Sequence, residues 1–257
     1  MKTETTAANY RYWQEQGQGW PTEYDRRKRG SVLYHLQEVL LADYMNHSSP
    51  ARVLEFGCGF GRHLKYLSQI PGIDVHGYDQ SPTMVSGFAA WAEPEWVKSH
   101  VTVGEPVGKL PYADGAFDIV YTAEVLVHVR PQDLPVVLRE LMRVARWQVF
   151  HLETARDCPL IASDHDGCWF HDLVQAYRTL EVECQLLDGG YLAHVPHRII
   201  LDRSRPVYSG SSVIASLLKR AEVDLQPTLN EVQENRLRIQ EAAELRQQLR
   251  AVLSQLT

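Results

Sequence analysis

The fold is decided by the stretch Val53-Leu54-Glu55-Phe56-Gly57-Cys58-Gly59-Phe60-Gly61-Arg62. Its first half is a short apolar run typical of a buried β-strand, and its second half is a loop with glycine at alternate positions. Glycine lets the backbone turn sharply and approach a ligand closely, and a helix that follows such a loop offers free backbone N–H groups. This strand–loop–helix unit predicts a binding site for the polar tail of a nucleotide-like cofactor.

Strand and helix patterns alternate around this loop. Strands are predicted at 52–56, 73–78, 100–103, 117–122 and 148–153, and helices at 22–46, 62–69, 131–144 and 168–180. Ser81 and Pro82 read as the N-cap and the first position of another helix. Two β-rich runs, 182–187 and 197–201, follow each other without a helix between them, which favours an antiparallel pair at one sheet edge. We therefore predict an α/β fold with a mainly parallel sheet flanked by helices.

Composition excludes several classes of protein. The 257 residues are 44% hydrophobic and 23% charged, as in globular proteins and unlike disordered chains. The net charge of −6 disfavours nucleic acid and anionic membranes as partners, with the basic run Arg26–Arg29 as a local exception. That run is interpreted either as a solvated face or as a site for an anionic acceptor. No apolar run is long enough to span a membrane, so we expect no transmembrane segment.

The cysteines and the N-terminus indicate a reducing compartment. The four cysteines lack the spacing of zinc sites and of disulfide-rich secreted proteins, and no apolar stretch follows Met1. We expect a cytoplasmic protein, with peripheral association with the inner membrane through partners left open.

Three regions are predicted along the chain. Residues 1–205 form the main domain, in which 1–49 are an N-terminal lid and helix, 206–220 are a linker, and 221–257 are a coiled-coil helix. A heptad pattern runs from Leu225 to Leu256, and seven of its ten positions are apolar. We expect a homo-oligomer or a larger assembly through this helix; the alternative is that it folds back on the domain as an ordinary amphipathic helix.

Two carboxylates narrow the choice of cofactor. The loop departs from the dinucleotide pattern G-x-G-x-x-G, because Arg62 stands where its third glycine would be. Glu55, at the end of the first strand, suits a cationic amine better than a pyrophosphate. Asp79, at the end of the second, suits two ribose hydroxyls. A nicotinamide oxidoreductase is therefore disfavoured.

With these residues, the stretch 50–155 resembles the class I S-adenosylmethionine-dependent methyltransferases. The matching segments are the glycine loop, Gly77–Ser81, Val103–Glu105, Leu110–Val120 and Glu124–Val129. The resemblance implies a Rossmann-like fold, S-adenosylmethionine as cofactor and S-adenosylhomocysteine as product. It implies these cofactor-binding residues: Glu55, Gly57, Cys58, Gly59, Gly61, Asp79, Gln80, Met84, Glu105 and Glu124.

The sequence identifies the residues that face the methyl acceptor less specifically than those that face the cofactor. Histidine has a suitable pKa for deprotonating a hydroxyl, so His128, His165 and Asp166 are the candidate catalytic residues. Tyr12, Trp13, Trp169 and His171 are the candidate substrate-binding residues, and no metal is predicted. Structural roles stay open for His128, Trp169 and His171. The signature of base-methylating enzymes is missing after the fourth strand, which argues against a nucleic-acid acceptor.

We therefore expect a methyltransferase acting on a small molecule or a glycan, such as a bacterial surface polysaccharide or its precursor. The alternative is a non-catalytic scaffold or binding protein with a methyltransferase-like fold and an oligomerising coil.

Overall fold

A computed structural model describes residues 4–29, 32–154, 168–187 and 194–205, and six helical positions between 230 and 246. The chain divides into two compact units, Met1–Ala215 and Ser216–Thr257. The predicted linker 206–220 lies outside the described residues. So does the heptad pattern, except for Asn235 and Arg246, which are helical. The domain limits and the coiled coil therefore stay predictions.

Seven strands form one sheet. They are β1 (Arg52–Phe56), β2 (Asp74–Asp79), β3 (Val101–Val103), β4 (Phe117–Ala123), β5 (Ala145–Thr154), β6 (Gln185–Leu186) and β7 (His194–Ile200). Their order is β3-β2-β1-β4-β5-β7-β6. The strands β1 to β5 pair in parallel, whereas β7 is antiparallel to both β5 and β6. The predicted parallel sheet with an antiparallel edge is confirmed.

The strand order reverses between β1 and β4. The chain first builds outward from β1 to β3 and then returns to place β4 on the other side of β1. The loops after β1 and β4 therefore leave the sheet in opposite directions, and a crevice opens between them at the carboxyl ends of the strands. This is where the glycine loop lies.

Helices cover both faces of the sheet. The described helices are α1 (Glu4–Gln16), α2 (Trp20–Arg29), α3 (Val32–Ser48), α4 (Leu64–Leu67), α5 (Pro82–Val85), α6 (Pro94–His100), α7 (Leu134–Val144) and α8 (Leu173–Arg178). Two short 3₁₀ helices span Ser86–Ala90 and Leu126–His128. Ser81 caps α5 by accepting a hydrogen bond from the backbone N–H of Met84, as its position before Pro82 predicts.

A separate apolar cluster lies on each face. On one face, α7 contributes Leu138 and Leu141, which pack with residues of β4 and β5 such as Val120. On the other face, α3 contributes Leu41 and Met45. All seven residues of β4 are buried, because this central strand is covered on both sides. Its two polar side chains, Asp118 and Thr122, are buried as well and are hydrogen-bonded.

Four elements differ from the sequence prediction. The helix predicted over 22–46 is described as two helices, α2 and α3. The aromatic N-terminal segment, for which the sequence predicted no helix or strand, contains helix α1. The predicted helix 168–180 is shorter, because Asp172 caps α8 by accepting from the backbone N–H of Gln175, so Cys168–His171 precede the helix. Helix α6 was not predicted, although Pro94 occupies the position at a helix start where proline is tolerated.

Candidate functional site

The glycine loop wraps over the end of β2. The backbone N–H groups of Gly57 and Cys58 donate to Tyr78 O at 2.7 and 3.1 Å. Gly59 donates its N–H to Asp79 Oδ2 at 2.7 Å. Gly57 has φ +76°, and a Cβ there would lie 2.5 Å from Val125 Cγ1. Only glycine satisfies both the left-handed backbone and the close approach to the turn after β4.

Asp79 is held with open acceptor sites. Its Oδ2 accepts from Gly59 and its Oδ1 accepts from the N–H of Ser81 at 2.8 Å, and the residue is 8% exposed. Each carboxylate oxygen has a further lone pair, which can accept a ligand hydroxyl. Burial raises the pKa of Asp79 to about 6, while the backbone amides of Ser81, Gly59 and Gln80 act in the opposite direction.

Glu55 has an unused oxygen inside the protein. It is 2% exposed, and its Oε1 lies 2.8 Å from His63 Nδ1. Within the described part of the chain, Oε2 has no hydrogen-bond partner, and the nearby Tyr121 hydroxyl lowers the pKa of Glu55. Burial raises the pKa of Glu55 to about 8, and the charge of Arg62 acts against this shift. A buried carboxylate oxygen without a donor fits a cationic ligand group such as an ammonium.

These observations test the fit of S-adenosylmethionine to the residues present. The orphaned oxygen of Glu55 suits its ammonium group, and Asp79 suits its ribose hydroxyls. Both carboxylates follow adjacent parallel strands, with the glycine loop between them. The residues fit the cofactor.

The other residues predicted to bind the cofactor differ in whether the side chain or only the backbone lies near the glycine loop. The side chain of Cys58 is 3% exposed and packs in the apolar core, so only its backbone faces the loop. Gly61 closes the loop turn by donating its N–H to Cys58 O. Met84 Cε lies 2.9 Å from the position of a Cβ on Gly59, and Glu105 accepts the Tyr78 hydroxyl on its backbone oxygen at 2.7 Å.

Helix α1 lies against this site. Trp13 O accepts from Ser81 Oγ at 3.1 Å, Gln14 Nε2 donates to Gln80 O at 3.3 Å, and the rings of Trp13 and His128 meet edge to face at 4.8 Å between centroids. The ring of Tyr12 contacts that of Trp13 in turn. The N-terminal segment thus reaches both the end of β2 and the turn after β4, which is the placement required of a lid.

The turn after β4 gathers the described acceptor-side residues. Cys168 Sγ lies 3.7 Å from His128 Nδ1, and Trp169 donates its backbone N–H to Val127 O at 2.7 Å. His171 Nε2 lies 3.0 and 2.9 Å from the backbone oxygens of Leu126 and Val129, so this nitrogen is engaged with the turn. His165 and Asp166 lie outside the described residues.

Sequence reasoning missed the polar layer beneath this turn. Thr122, His151 and Glu153 are buried in β4 and β5 and are joined by hydrogen bonds. Glu124, at the end of β4, has φ +59°, a left-handed conformation unusual for glutamate. The available signal was the presence of polar residues near the carboxyl ends of otherwise apolar strands.

The basic run on α2 is engaged in ion pairs. Arg26 and Arg27 contact Glu23 at 2.6 and 2.7 Å, and Lys28 contacts Glu38 at 2.6 Å. These pairings favour the interpretation as a structural face over a site for an anionic acceptor.

Within the described ranges, no cluster of three or more histidine, cysteine, aspartate or glutamate side chains could hold a metal ion. In the same part of the chain, no helix has the length and apolar character needed to cross a membrane.

Comparison with known proteins identifies the domain. Residues 54–149 match a family model described as a methyltransferase domain. The chain contains a class I S-adenosylmethionine-dependent methyltransferase domain. This confirms the predicted family, fold and cofactor, whereas the individual site residues stay predictions.

The methyltransferase domain has several curated relatives. It is 36% identical over 98 residues to norajmaline N-methyltransferase of Rauvolfia serpentina, covering 37% of this chain and 32% of that protein. It is 27% identical over 143 residues to methyltransferase GfsG of Streptomyces halstedii, covering 55% and 48%. It is 35% identical over 97 residues to a malonyl-[acyl-carrier protein] O-methyltransferase of Legionella pneumophila, covering 37% and 33%. The chain thus spans less than half the length of each of these relatives.

Solved structures share the fold. The structure of a DhpI–SAH complex superposes with a TM-score of 0.55 at 14% identity, covering 80% of this chain and 99% of that one. The apo structure of the S-adenosylmethionine-dependent methyltransferase SibL gives a TM-score of 0.55 at 17% identity, covering 67% and 56%.

Proposed function

We propose that this protein transfers the methyl group of S-adenosylmethionine to a small-molecule acceptor. The observation that carries the proposal is the pair of buried carboxylates, Glu55 and Asp79, at the ends of adjacent strands with the glycine loop between them. One has an oxygen without a donor and the other has spare lone pairs. A fold that had lost its ligand would have no reason to keep such groups buried, because an unsatisfied buried carboxylate destabilises the protein.

The residues have separate tasks in this proposal. Glu55 holds the ammonium end of the cofactor, and Asp79 holds the ribose. When bound, the cofactor supplies a sulfonium-linked methyl group that is already activated for displacement. The main requirement on the protein is therefore to align the acceptor atom with that methyl group, an effect worth about 7–11 kcal/mol in favourable cases.

His128 is the proposed proton acceptor of the described residues. It lies on the turn after β4, against the Trp13 ring and near Cys168. For a hydroxyl acceptor, His128 would take the proton as the new bond forms, an effect of about 10²–10⁴-fold. His165 and Asp166 are retained as proposed catalytic residues on the sequence pattern alone.

The class of acceptor is inferred from the family. The names of two relatives describe an N-methyltransferase and an O-methyltransferase, so the proposed acceptor is a small molecule with an amine, hydroxyl or carboxyl nucleophile. A glycan or its precursor is the finer proposal for a hydroxyl acceptor. Its support is the sequence pattern that joins a methyltransferase domain to a heptad region, through which we expect assembly in the cytoplasm.

Calorimetric titration with S-adenosylhomocysteine tests cofactor binding directly. We expect one binding event per chain with micromolar affinity, on the order of −8 kcal/mol. No heat and no thermal shift at millimolar ligand would contradict the proposal and favour the scaffold alternative. Release of S-adenosylhomocysteine from S-adenosylmethionine, measured with amines, carboxylic acids and sugar nucleotides in turn, would then identify the acceptor class.

A further inference from the structure

A chain of hydrogen bonds runs beneath the turn after β4. The Tyr177 hydroxyl lies 2.7 Å from His151 Nε2, and His151 Nδ1 lies 2.8 Å from Thr122 Oγ1. Thr122 Oγ1 in turn lies 2.6 Å from Glu153 Oε1. All four side chains are buried. Polar groups from α8, β5 and β4 are therefore connected inside the apolar core, where satisfied networks fix a unique geometry.

This series of hydrogen bonds ends at two backbone amides, those of Val125 and Leu126. Val125 N–H lies 3.2 and 3.1 Å from the two carboxylate oxygens of Glu153, and Leu126 N–H donates to Oε2 at 3.1 Å. These amides open the 3₁₀ helix Leu126–His128, where backbone donors lack partners within the helix. With the Thr122 hydroxyl, three donors converge on one buried carboxyl group, and leaving any of these buried donors without its acceptor would destabilise the turn.

The direction of these hydrogen bonds follows from the donors available. Burial and the nearby charge of Glu124 raise the pKa of Glu153 to about 8, whereas the Thr122 hydroxyl and the amides of Val125 and Leu126 favour its ionised form. In that form Glu153 only accepts, so Thr122 donates to it. Thr122 then accepts from His151 Nδ1, and His151 Nε2 accepts from the Tyr177 hydroxyl. His151 is neutral, because burial lowers its pKa to about 3 and the nearby His197 acts in the same direction. Each hydrogen of the chain therefore has an acceptor.

The turn held by Glu153 faces the glycine loop. Val125 occupies the space that a Cβ on Gly57 would need, with Cγ1 only 2.5 Å from that position. Glu124, the first residue of the turn, is held in a left-handed conformation that costs about 1–3 kcal/mol and persists only when its surroundings enforce it. The position of Val125, and with it the width of the crevice, depends on what anchors this turn.

The opposite side of the turn is anchored as well. His171 Nε2 contacts the backbone oxygens of Leu126 and Val129, and Trp169 donates to Val127 O. Trp169 and His171 thus hold the carbonyl groups of the turn, while Glu153 holds the amides.

We propose that Glu153 is a positioning residue of the methyl-transfer site, which holds the turn Glu124–Leu126 at a fixed distance from the glycine loop through the amides of Val125 and Leu126. The chain Thr122–His151–Tyr177 fixes the carboxylate of Glu153 in turn. The inference rests on the proposed function, because the turn forms a wall of the site only if the glycine loop holds the cofactor. Glu153 acts through Val125 and contacts no reacting atom.

The variant Glu153→Gln tests this role. Glutamine keeps the size but cannot ionise, and its NH₂ group replaces an oxygen that accepts from these donors. We expect affinity for S-adenosylhomocysteine to fall about tenfold or more, because leaving a buried donor without its acceptor has an effect of that order. Amide hydrogen exchange across residues 123–129 should become about tenfold faster or more. Wild-type affinity together with wild-type exchange would overturn the inference.

The control is Val149→Ala on the same strand. Val149 is fully buried in β5 and belongs to the same apolar cluster as Leu126, so its truncation lowers stability while every hydrogen bond of Glu153 is kept. We expect unchanged affinity and no selective increase of exchange at 123–129. If Val149→Ala accelerates exchange there as much as Glu153→Gln does, the role of Glu153 is general stability, and the inference fails.

A pair of substitutions at Thr122 covers the case in which Glu153→Gln does not fold. Thr122→Ser keeps the hydroxyl that orients Glu153, whereas Thr122→Val has the same shape without it. We expect the valine variant alone to exchange faster at 123–129 and to bind severalfold more weakly. Equal behaviour of the two variants would overturn the inference. Failure of the wild-type protein to bind S-adenosylhomocysteine would contradict the proposed function, while the exchange measurements still decide whether Glu153 holds the turn.

Discussion

The two halves of the crevice differ in how their polar groups are used. In the half built on β1 and β2, Asp79 and Glu55 keep acceptor capacity that the protein itself does not fill. In the half built on β4 and β5, Glu153 is occupied by Thr122 and the amides of the turn. In the function that we propose, the first half binds the ligand and the second holds the shape of the crevice. Four experiments, taken from the largest expected effect to the smallest, test this division.

The strongest test of the binding half is Asp79→Asn. Asparagine replaces one acceptor oxygen by a donor, which faces the N–H groups of Gly59 or Ser81 and weakens the grip on ribose hydroxyls. Affinity for S-adenosylhomocysteine should fall about a hundredfold or more, since two charged hydrogen bonds are affected. The matched control is Asp74→Asn at the other end of β2, where the side chain is 45% exposed. Equal losses in the two variants would show that Asp79 has no special role.

The contact between the halves is tested by Gly57→Ala. Alanine meets both a left-handed backbone, φ +76°, and Val125 at 2.5 Å, so we expect a loss of about 2–4 kcal/mol in the free energy of unfolding, measured with urea. Gly72→Ala is the control, because Gly72 has φ +86° with no atom within 4 Å of the added Cβ and carries only the backbone strain.

A double variant sharpens this test. Adding Val125→Ala to Gly57→Ala should restore part of the lost stability, because the clash is removed. Additive effects of the two substitutions would mean that the loop and the turn do not meet.

The next test uses pH to examine Glu55. Because its pKa is about 8, this carboxyl is mostly protonated in the free protein at pH 6, whereas a bound ammonium group favours the ionised form. Affinity for S-adenosylhomocysteine should therefore rise with pH up to about 8, by at most tenfold per pH unit from this group. Titrations in buffers of different ionisation enthalpy should show proton release. In Glu55→Gln that release should disappear, and an unchanged pH profile would remove Glu55 from the ammonium site.

In the ligand-free protein, Glu55 should make the free energy of unfolding fall as pH rises, whereas its effect on ligand affinity is a rise with pH. Its pKa in the folded protein lies above the ordinary value of 4.5, so between about 4.5 and 8 the folded state binds more protons than the unfolded chain. The free energy of unfolding should fall as pH rises through this range, and less steeply in Glu55→Gln. A steeper fall in the variant would contradict the assigned direction.

The smallest effect is expected for Trp13→Ala on α1. This substitution removes the edge-to-face contact with His128, and aromatic pairs of this kind contribute about 0.5–1.5 kcal/mol. We expect a few-fold loss of affinity for S-adenosylhomocysteine, measured by calorimetry. Tyr10→Ala on the same helix, where the side chain is 39% exposed, should have no effect. Equal effects would mean that α1 acts through its helical structure and not through the Trp13 ring.

Prediction from sequence succeeded where contacts are local. The glycine loop, Asp79 and the Ser81 cap lie within about thirty residues of each other, and their spacing follows from a strand–loop–helix unit. Prediction from sequence was less informative after β5, where Cys168–Asp172 was interpreted as part of a helix. The side chain of Asp172 caps α8, so the residues before it lie outside the helix. Which of several polar residues forms the cap depends on how the helix packs.

The sequence by itself determined most of the order of strands and helices and the family, and it predicted the residues at the cofactor end of the site, because periodic patterns and the glycine loop are properties of contiguous residues. Only the tertiary structure decided the other end. Glu153 meets Val125 across 28 positions and His171 meets Leu126 across 45, and neither pair has a local pattern. A buried polar residue is stable only with a partner, and which partner it finds is fixed when β4, β5 and α8 pack together.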